Sequence, residues 1–226
     1  MSTLTSSVVA QVLKRLYANA EREDRPLRER LEKLSPEQRK EMFETQQADY
    51  RATYESMHAA YIPIEREFGT LVYILACARQ AKTIVEFGTS FGLSTIQLAA
   101  ALRDNGGGRL ITTEFVASKS ETARNNLEAA GLSDLVEIRL GDALETLKNG
   151  AGSPIDLVLL DGAKNLYVPI LKILEPSLAP RAIVAADNTT DESSYVVYVR
   201  NPVNGYLSLG LPFKSGNELS MWLGKS

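Results

Sequence analysis

Five short apolar runs, at residues 83–87, 109–114, 136–140, 156–160 and 182–186, constrain this 226-residue chain more than any other feature. They are almost continuously apolar rather than alternating, the pattern of strands buried on both faces. Helical stretches separate them, near residues 93–103, 117–130, 142–148 and 166–174. This β-α-β-α order predicts a Rossmann-like, doubly wound α/β sheet with helices on both faces. Two more strands, 205–209 and 218–223, have no helix between them and predict an antiparallel hairpin at the sheet edge, giving seven strands. A short helix is expected over 195–200.

The first 60 residues have a different texture and read as an N-terminal helical extension to an α/β domain spanning 61–226. Breaks at Asp24-Arg25-Pro26 and Ser35-Pro36-Glu37 divide the extension into three expected helices. At the second break Ser35 is placed to cap, Pro36 to start and Gln38 to close a capping box. Val8, Val9, Val12, Leu13, Leu16 and Tyr17 share one face of the first helix, which therefore needs a partner surface, either the main domain or another subunit.

Lys and Arg number 25 against 28 Asp and Glu, for a net charge of −3, and no basic stripe is present, so no nucleic-acid partner is expected. The longest apolar stretches, 71–78 and 157–160, fall far short of the roughly 20 residues of a membrane span. Residues 1–14 lack the pattern of a secretory signal, and a single cysteine, Cys77, reads as a buried thiol in a reducing compartment. The expected location is the cytosol. The sole histidine, His58, has no His or Cys partners with which to hold a transition metal.

In sheets of this kind ligands bind beyond the carboxyl ends of the strands. The first run ends in Glu86-Phe87-Gly88-Thr89-Ser90-Phe91-Gly92-Leu93-Ser94, where two glycines permit a tight turn before a helix. The second ends in Glu114, placed to accept from both hydroxyls of a ribose. Together they indicate an adenosine-containing cofactor. The three-glycine fingerprint of nicotinamide cofactors is absent, and an acidic Glu86 suits a cationic ligand such as S-adenosylmethionine. Asp142, after the third run, is placed both to cap a helix and to accept from an adenine amino group. Asp161 and Asp187-Asn188 close the next two runs. If those strands are neighbours, two carboxylates and an amide converge as hard oxygen donors suited to Mg2+.

These strings, with Leu160-Asp161-Gly162-Ala163-Lys164, Tyr167-Val168-Pro169 and Ala186-Asp187-Asn188 in the same order, make the segment from about Tyr61 onward resemble the catechol O-methyltransferase-like family. These are class I methyltransferases dependent on S-adenosylmethionine and a divalent metal. The resemblance implies that Glu86, Gly88, Ser90, Gly92 and Ser94 hold the methionine part of the cofactor. It implies Glu114 at the ribose, Asp142 and Ala143 beside adenine, and Asp161 at the cofactor and the metal with Asp187 and Asn188. Lys164 matches the base, and Glu218 falls where animal members contact substrate. The implied reaction is methyl transfer to a hydroxyl of a small catechol-like or natural-product acceptor, by a homodimer.

Two departures bear on the acceptor. Gly162 and Ala163 stand where animal members carry bulky aromatics, and Thr189-Thr190-Asp191 replaces the family's proline after Asp-Asn, which together predict a pocket that is either wider or closed by other elements. The charged extension is a candidate lid. A metal-independent methyltransferase and a non-catalytic binder of S-adenosylmethionine remain the alternatives.

Overall fold

The computed structural model describes residues 2–213 and 216–225. The extension holds four helices: α1 (Ser7–Glu23), α2 (Arg25–Glu32), α3 (Pro36–Ala48) and α4 (Tyr50–Ser56). The expected capping box forms, with Ser35 accepting from the Gln38 N–H and Gln38 returning to the Ser35 N–H. The unexpected division is at Asp49, whose side chain accepts from the Ala52 N–H and starts α4. The apolar face of α1 finds its partner within the chain: Val9, Val12, Leu13, Leu16, Tyr17 and Ala20 are buried in one core with α5 (Arg66–Ala78) and residues of the first domain helix. Val8 stays outside that face and is exposed.

Beyond α5 the chain runs β1 (Thr83–Phe87), α6 (Leu93–Asp104), β2 (Arg109–Glu114), α7 (Ala117–Ala129), β3 (Val136–Leu140), α8 (Ala143–Thr146), β4 (Ile155–Leu160), α9 (Tyr167–Leu174), β5 (Leu178–Asp187), α10 (Ser194–Arg200), β6 (Tyr206–Leu211) and β7 (Asn217–Trp222). The strand order is β3-β2-β1-β4-β5-β7-β6. The first five are parallel, and β7 pairs antiparallel with both β5 and β6. β1 and β4 are neighbours at the point where strand order reverses, the place where such folds open a ligand crevice. β5 starts four residues earlier than its apolar run suggests, because Pro180 and Arg181, the latter at φ 61°, interrupt the pattern at a break in register with β4.

Apolar cores flank the sheet on both faces, one under α1, α5 and α6 and the other under α9 and α10. Cys77 is half-buried against the first rather than fully enclosed, and burial pushes its thiol pKa up. Among the described residues no helix is long and apolar enough to cross a membrane.

Candidate active site

A cleft open to solvent lies over the carboxyl ends of β1, β2 and β4. Gly88, Ser90, Ser94, Glu114, Asp142, Ala143, Asp161, Lys164 and Asn188 all line it, so nine of the residues singled out in the sequence meet at one place. The loop after β1 is built for this approach. Gly88 has φ 105°, and a Cβ there would stand 2.4 Å from the Asp161 carbonyl oxygen, so only glycine lets β1 and β4 end side by side. Gly92, at φ 87°, starts α6 against Ala123 and does not face the cleft.

Glu114 is held by two backbone donors, Ser90 N–H on Oε2 and Val116 N–H on Oε1, each at 2.8 Å. A carboxylate has roughly four acceptor sites, so Glu114 keeps capacity for a pair of hydroxyls. Burial raises its pKa, against those backbone bonds and the charge of Lys119. Asp142 does two jobs at once: Oδ1 caps α8 through Leu144 N–H, and Oδ2 accepts from Tyr50 hydroxyl at 2.8 Å and Arg51 at 2.5 Å. Burial pushes its carboxyl up, but the bonds from Arg51 and Tyr50 outweigh it and hold the pKa below the ordinary value.

Tyr50 and Tyr54, one turn apart on α4, both line the cleft. Burial, with Asp161 and Glu114 nearby, pushes the Tyr54 phenol up to about 12.

At the other end Asp161 is half-buried beside Asp187, with which it shares a hydrogen bond. Burial first, and then the Asp187 charge, raise its pKa well above the carboxylate range. Asp187 lies behind the lining, 3% exposed, with Oδ1 accepting from Asn217 at 2.5 Å. Lys164 Nζ stands 3.5 Å from Asp161 Oδ1 and donates to the Tyr167 hydroxyl at 2.7 Å. That hydroxyl in turn donates to the Asp187 carbonyl at 3.0 Å, tying the lysine to the end of β5. Among the described residues no group of three His, Cys, Asp or Glu side chains gathers at metal-binding distance. The oxygen donors here are two carboxylates and the Asn188 amide.

Residues 85–189 match a family described as a methyltransferase domain. Catechol O-methyltransferases of Mycobacterium tuberculosis and Niastella koreensis are each 37% identical to the chain, over 56% of it and 57% and 58% of their own lengths. Over that stretch the chain is similar to catechol O-methyltransferases. It thus spans a little over half the length of these curated relatives. Two solved structures agree in fold. Cofactor-bound Rv0187 from MTB is 27% identical with TM-score 0.64, covering 78% of this chain and 89% of that one. The O-methyltransferase TomG of Streptomyces achromogenes, solved with SAM, is 26% identical with TM-score 0.63, covering 79% and 89%.

Besides Gly92 and Asp187, two residues that the family resemblance singled out, Glu86 and Glu218, lie off the lining. Glu86 is wholly buried in β1 behind the lining, where Oε2 accepts from Thr95 at 2.6 Å and Thr112 at 2.7 Å while Oε1 has no partner. Its link to the cleft runs through the Ser94 hydroxyl. Glu218, 1% exposed, is held by both Nε and Nη2 of Arg200 at 2.8 Å and by Ser208. It lines a separate recess with Thr190 and Asp191, away from the cleft. The wall expected to be missing at Gly162 is rebuilt from β1: a Cβ on Gly162 would meet the Phe87 ring at 2.6 Å, and Phe87 lines the cleft. The sequence reading missed Tyr50, Tyr54, Phe87 and Tyr167. The i, i+4 tyrosines of α4 were the available signal, whereas Phe87 and Tyr167 show their roles only once β1, β4 and β5 are side by side.

Proposed function

We propose that the chain is an S-adenosylmethionine-dependent O-methyltransferase acting on a hydroxyl of a small aromatic or natural-product acceptor that carries a second, neighbouring oxygen. We further propose that it uses a divalent metal and Lys164 as base. One observation carries this reading: a single cleft joins Glu114, with free acceptor capacity, to Asp161, Asn188 and Lys164. The acceptor class comes from the catechol O-methyltransferase relatives, and the cofactor also from the SAM complex of TomG.

The residues fit both groups. Glu114 offers a buried carboxylate to a ribose diol, and the unpartnered Oε1 of Glu86 offers negative charge behind Ser94 to a cationic ligand. Asp161 and Asp187, crowded together and joined by Asn188, are hard oxygen donors at a place that favours added positive charge. When bound, S-adenosylmethionine supplies an electrophilic methyl group, and a divalent cation supplies a Lewis acid that lowers the pKa of a hydroxyl. The chain's own residues do the rest. Ser90 and Val116 aim Glu114, while Tyr50 and Tyr54 cover the cleft and exclude water. Lys164, steadied by Tyr167, takes the acceptor's proton on Nζ, and positioning of the two reactants is the main catalytic contribution. The homodimer stays in the proposal on family resemblance alone, since the α1 face is used inside the chain. A monomeric mass by light scattering refutes it.

Calorimetric titration with S-adenosylhomocysteine tests the cofactor half. Binding that falls about tenfold or more in Glu114→Ala, as loss of charge-assisted hydrogen bonds predicts, supports it. Absence of binding by the unaltered protein overturns it.

A further inference from the structure

The segment joining the helical extension to α5 forms one lip of the cleft, and its backbone is held in a conformation that its sequence opposes. Ile62 has φ 43°. A β-branched residue is a true outlier at positive φ, and the following Pro63 pushes its predecessor toward extended backbone. Both residues line the cleft.

The group that holds this turn is Asp24. Its Oδ1 accepts from the Tyr61 N–H and its Oδ2 from the Ile62 N–H, each at 2.8 Å. Asp24 sits between α1 and α2, where an aspartate ordinarily caps its own helix, yet its side chain makes no cap bond. It is 5% exposed, and both oxygens are spent on a lip 37 and 38 residues away.

The rest of the lip is tied to the cofactor end of the cleft. Ser90, whose N–H holds Glu114, donates its hydroxyl to the Tyr61 carbonyl at 2.8 Å. Lys119 donates to the Ala60 carbonyl at 2.8 Å and lies in the field of both Glu114 and Asp24. The Tyr61 ring stacks on Phe91 with centroids 3.9 Å apart.

We propose that Asp24, in the extension, is a positioning residue for cofactor binding: its carboxylate clamps the Tyr61-Ile62 backbone into a strained turn that sets the lip beside Ser90 and Glu114. This inference rests on the cofactor reading above and adds to it a determinant of affinity outside the α/β domain. A merely structural Asp24, one that only joins α1 to α2, has no energetic connection to the backbone preference of residue 62.

That difference is measurable by titrating S-adenosylhomocysteine into the full-length protein, Asp24→Asn, Ile62→Gly and the double variant. Asparagine keeps the size but turns an NH2 toward one of the two N–H groups. Asp24→Asn is expected to weaken binding about tenfold. Ile62→Gly removes a side chain that lines the cleft and so sets its own baseline; against that baseline, adding Asp24→Asn costs less than about threefold, because glycine takes positive φ without strain. Asp24→Ser, which can cap α2 but cannot hold both N–H groups, separates the clamp from folding and is expected to lose affinity like Asp24→Asn. Faster amide exchange at residues 61 and 62 in both Asp24 variants is the second expected readout. Unchanged affinity in Asp24→Asn, or strictly additive effects in the double variant, overturns the clamp. If the unaltered protein and all four variants fail to bind, the cofactor reading itself falls and takes the ligand role of Asp24 with it.

Discussion

Replacing Glu86 by glutamine removes a buried charge that the fold tolerates at a cost. Burial, opposed by bonds from Ser94, Thr95 and Thr112, pushes the Glu86 carboxyl from an ordinary 4.5 up to about 7. At 1.36 kcal/mol per pKa unit, a rise of this size corresponds to about 3 kcal/mol. The sign follows from proton linkage. Below pH 4.5 the group is protonated in folded and unfolded chains alike, and no penalty exists. Between 4.5 and 7 the folded chain keeps a proton that the unfolded chain has released, so stability falls as pH rises, and above 7 the loss is complete. Glutamine does not titrate. Denaturant unfolding of both proteins from pH 5 to pH 8 should therefore show Glu86→Gln gaining on the parent by about 1.4 kcal/mol per pH unit until the difference levels off near pH 7. Curves that run parallel across this range would mean that Glu86 is not the buried, half-satisfied carboxylate described, and would refute the argument. On the proposed cofactor reading the unpartnered Oε1 gives the penalty a purpose, since a cationic ligand beyond Ser94 would draw on the same negative charge.

Other perturbations probe the rest of the site. Lys164→Met should lower methyl transfer by about 10²–10⁴-fold, the usual range for loss of a general base, with S-adenosylhomocysteine affinity unchanged by calorimetry. Tyr167→Phe deletes a hydroxyl bonded to both Lys164 and the Asp187 carbonyl, and should cost about 1–3 kcal/mol in unfolding free energy and also slow transfer. Gly88→Ala forces a Cβ into the Asp161 carbonyl at a positive φ, and a loss of more than about 2 kcal/mol by thermal unfolding is expected. Arg51→Ala cuts a solvent-screened link between α4 and Asp142, so stopped-flow release of S-adenosylhomocysteine should quicken by no more than about fivefold.

What the sequence made legible follows from how local each signal is. β1, β2 and β3 fall where their apolar runs lie because each is closed by a glycine or an acidic residue, Gly88, Glu114 and Gly141. The extra helix boundary at Asp49 was a capping signal without a proline to announce it, and Pro180 with Arg181 hid the first part of β5. The cleft residues at strand ends were legible because topology places all such ends on one rim. Glu218 was not, since its surroundings depend on Arg200 approaching from α10, a contact no spacing reveals. The compensation of Gly162 by Phe87 is of the same kind, a side chain from one strand filling space opened on its neighbour.

The central claim is metal-assisted methyl transfer in the cleft of Glu114, Asp161 and Lys164. Its most direct test is mass spectrometry of a panel of vicinal dihydroxy aromatics incubated with the protein and S-adenosylmethionine, once with Mg2+ and once with excess EDTA. The account predicts a gain of one methyl group with Mg2+ that disappears with EDTA. Transfer that persists at the same rate in EDTA would contradict the metal role, and no transfer in either arm by a protein that still binds S-adenosylhomocysteine would contradict the proposed acceptor class.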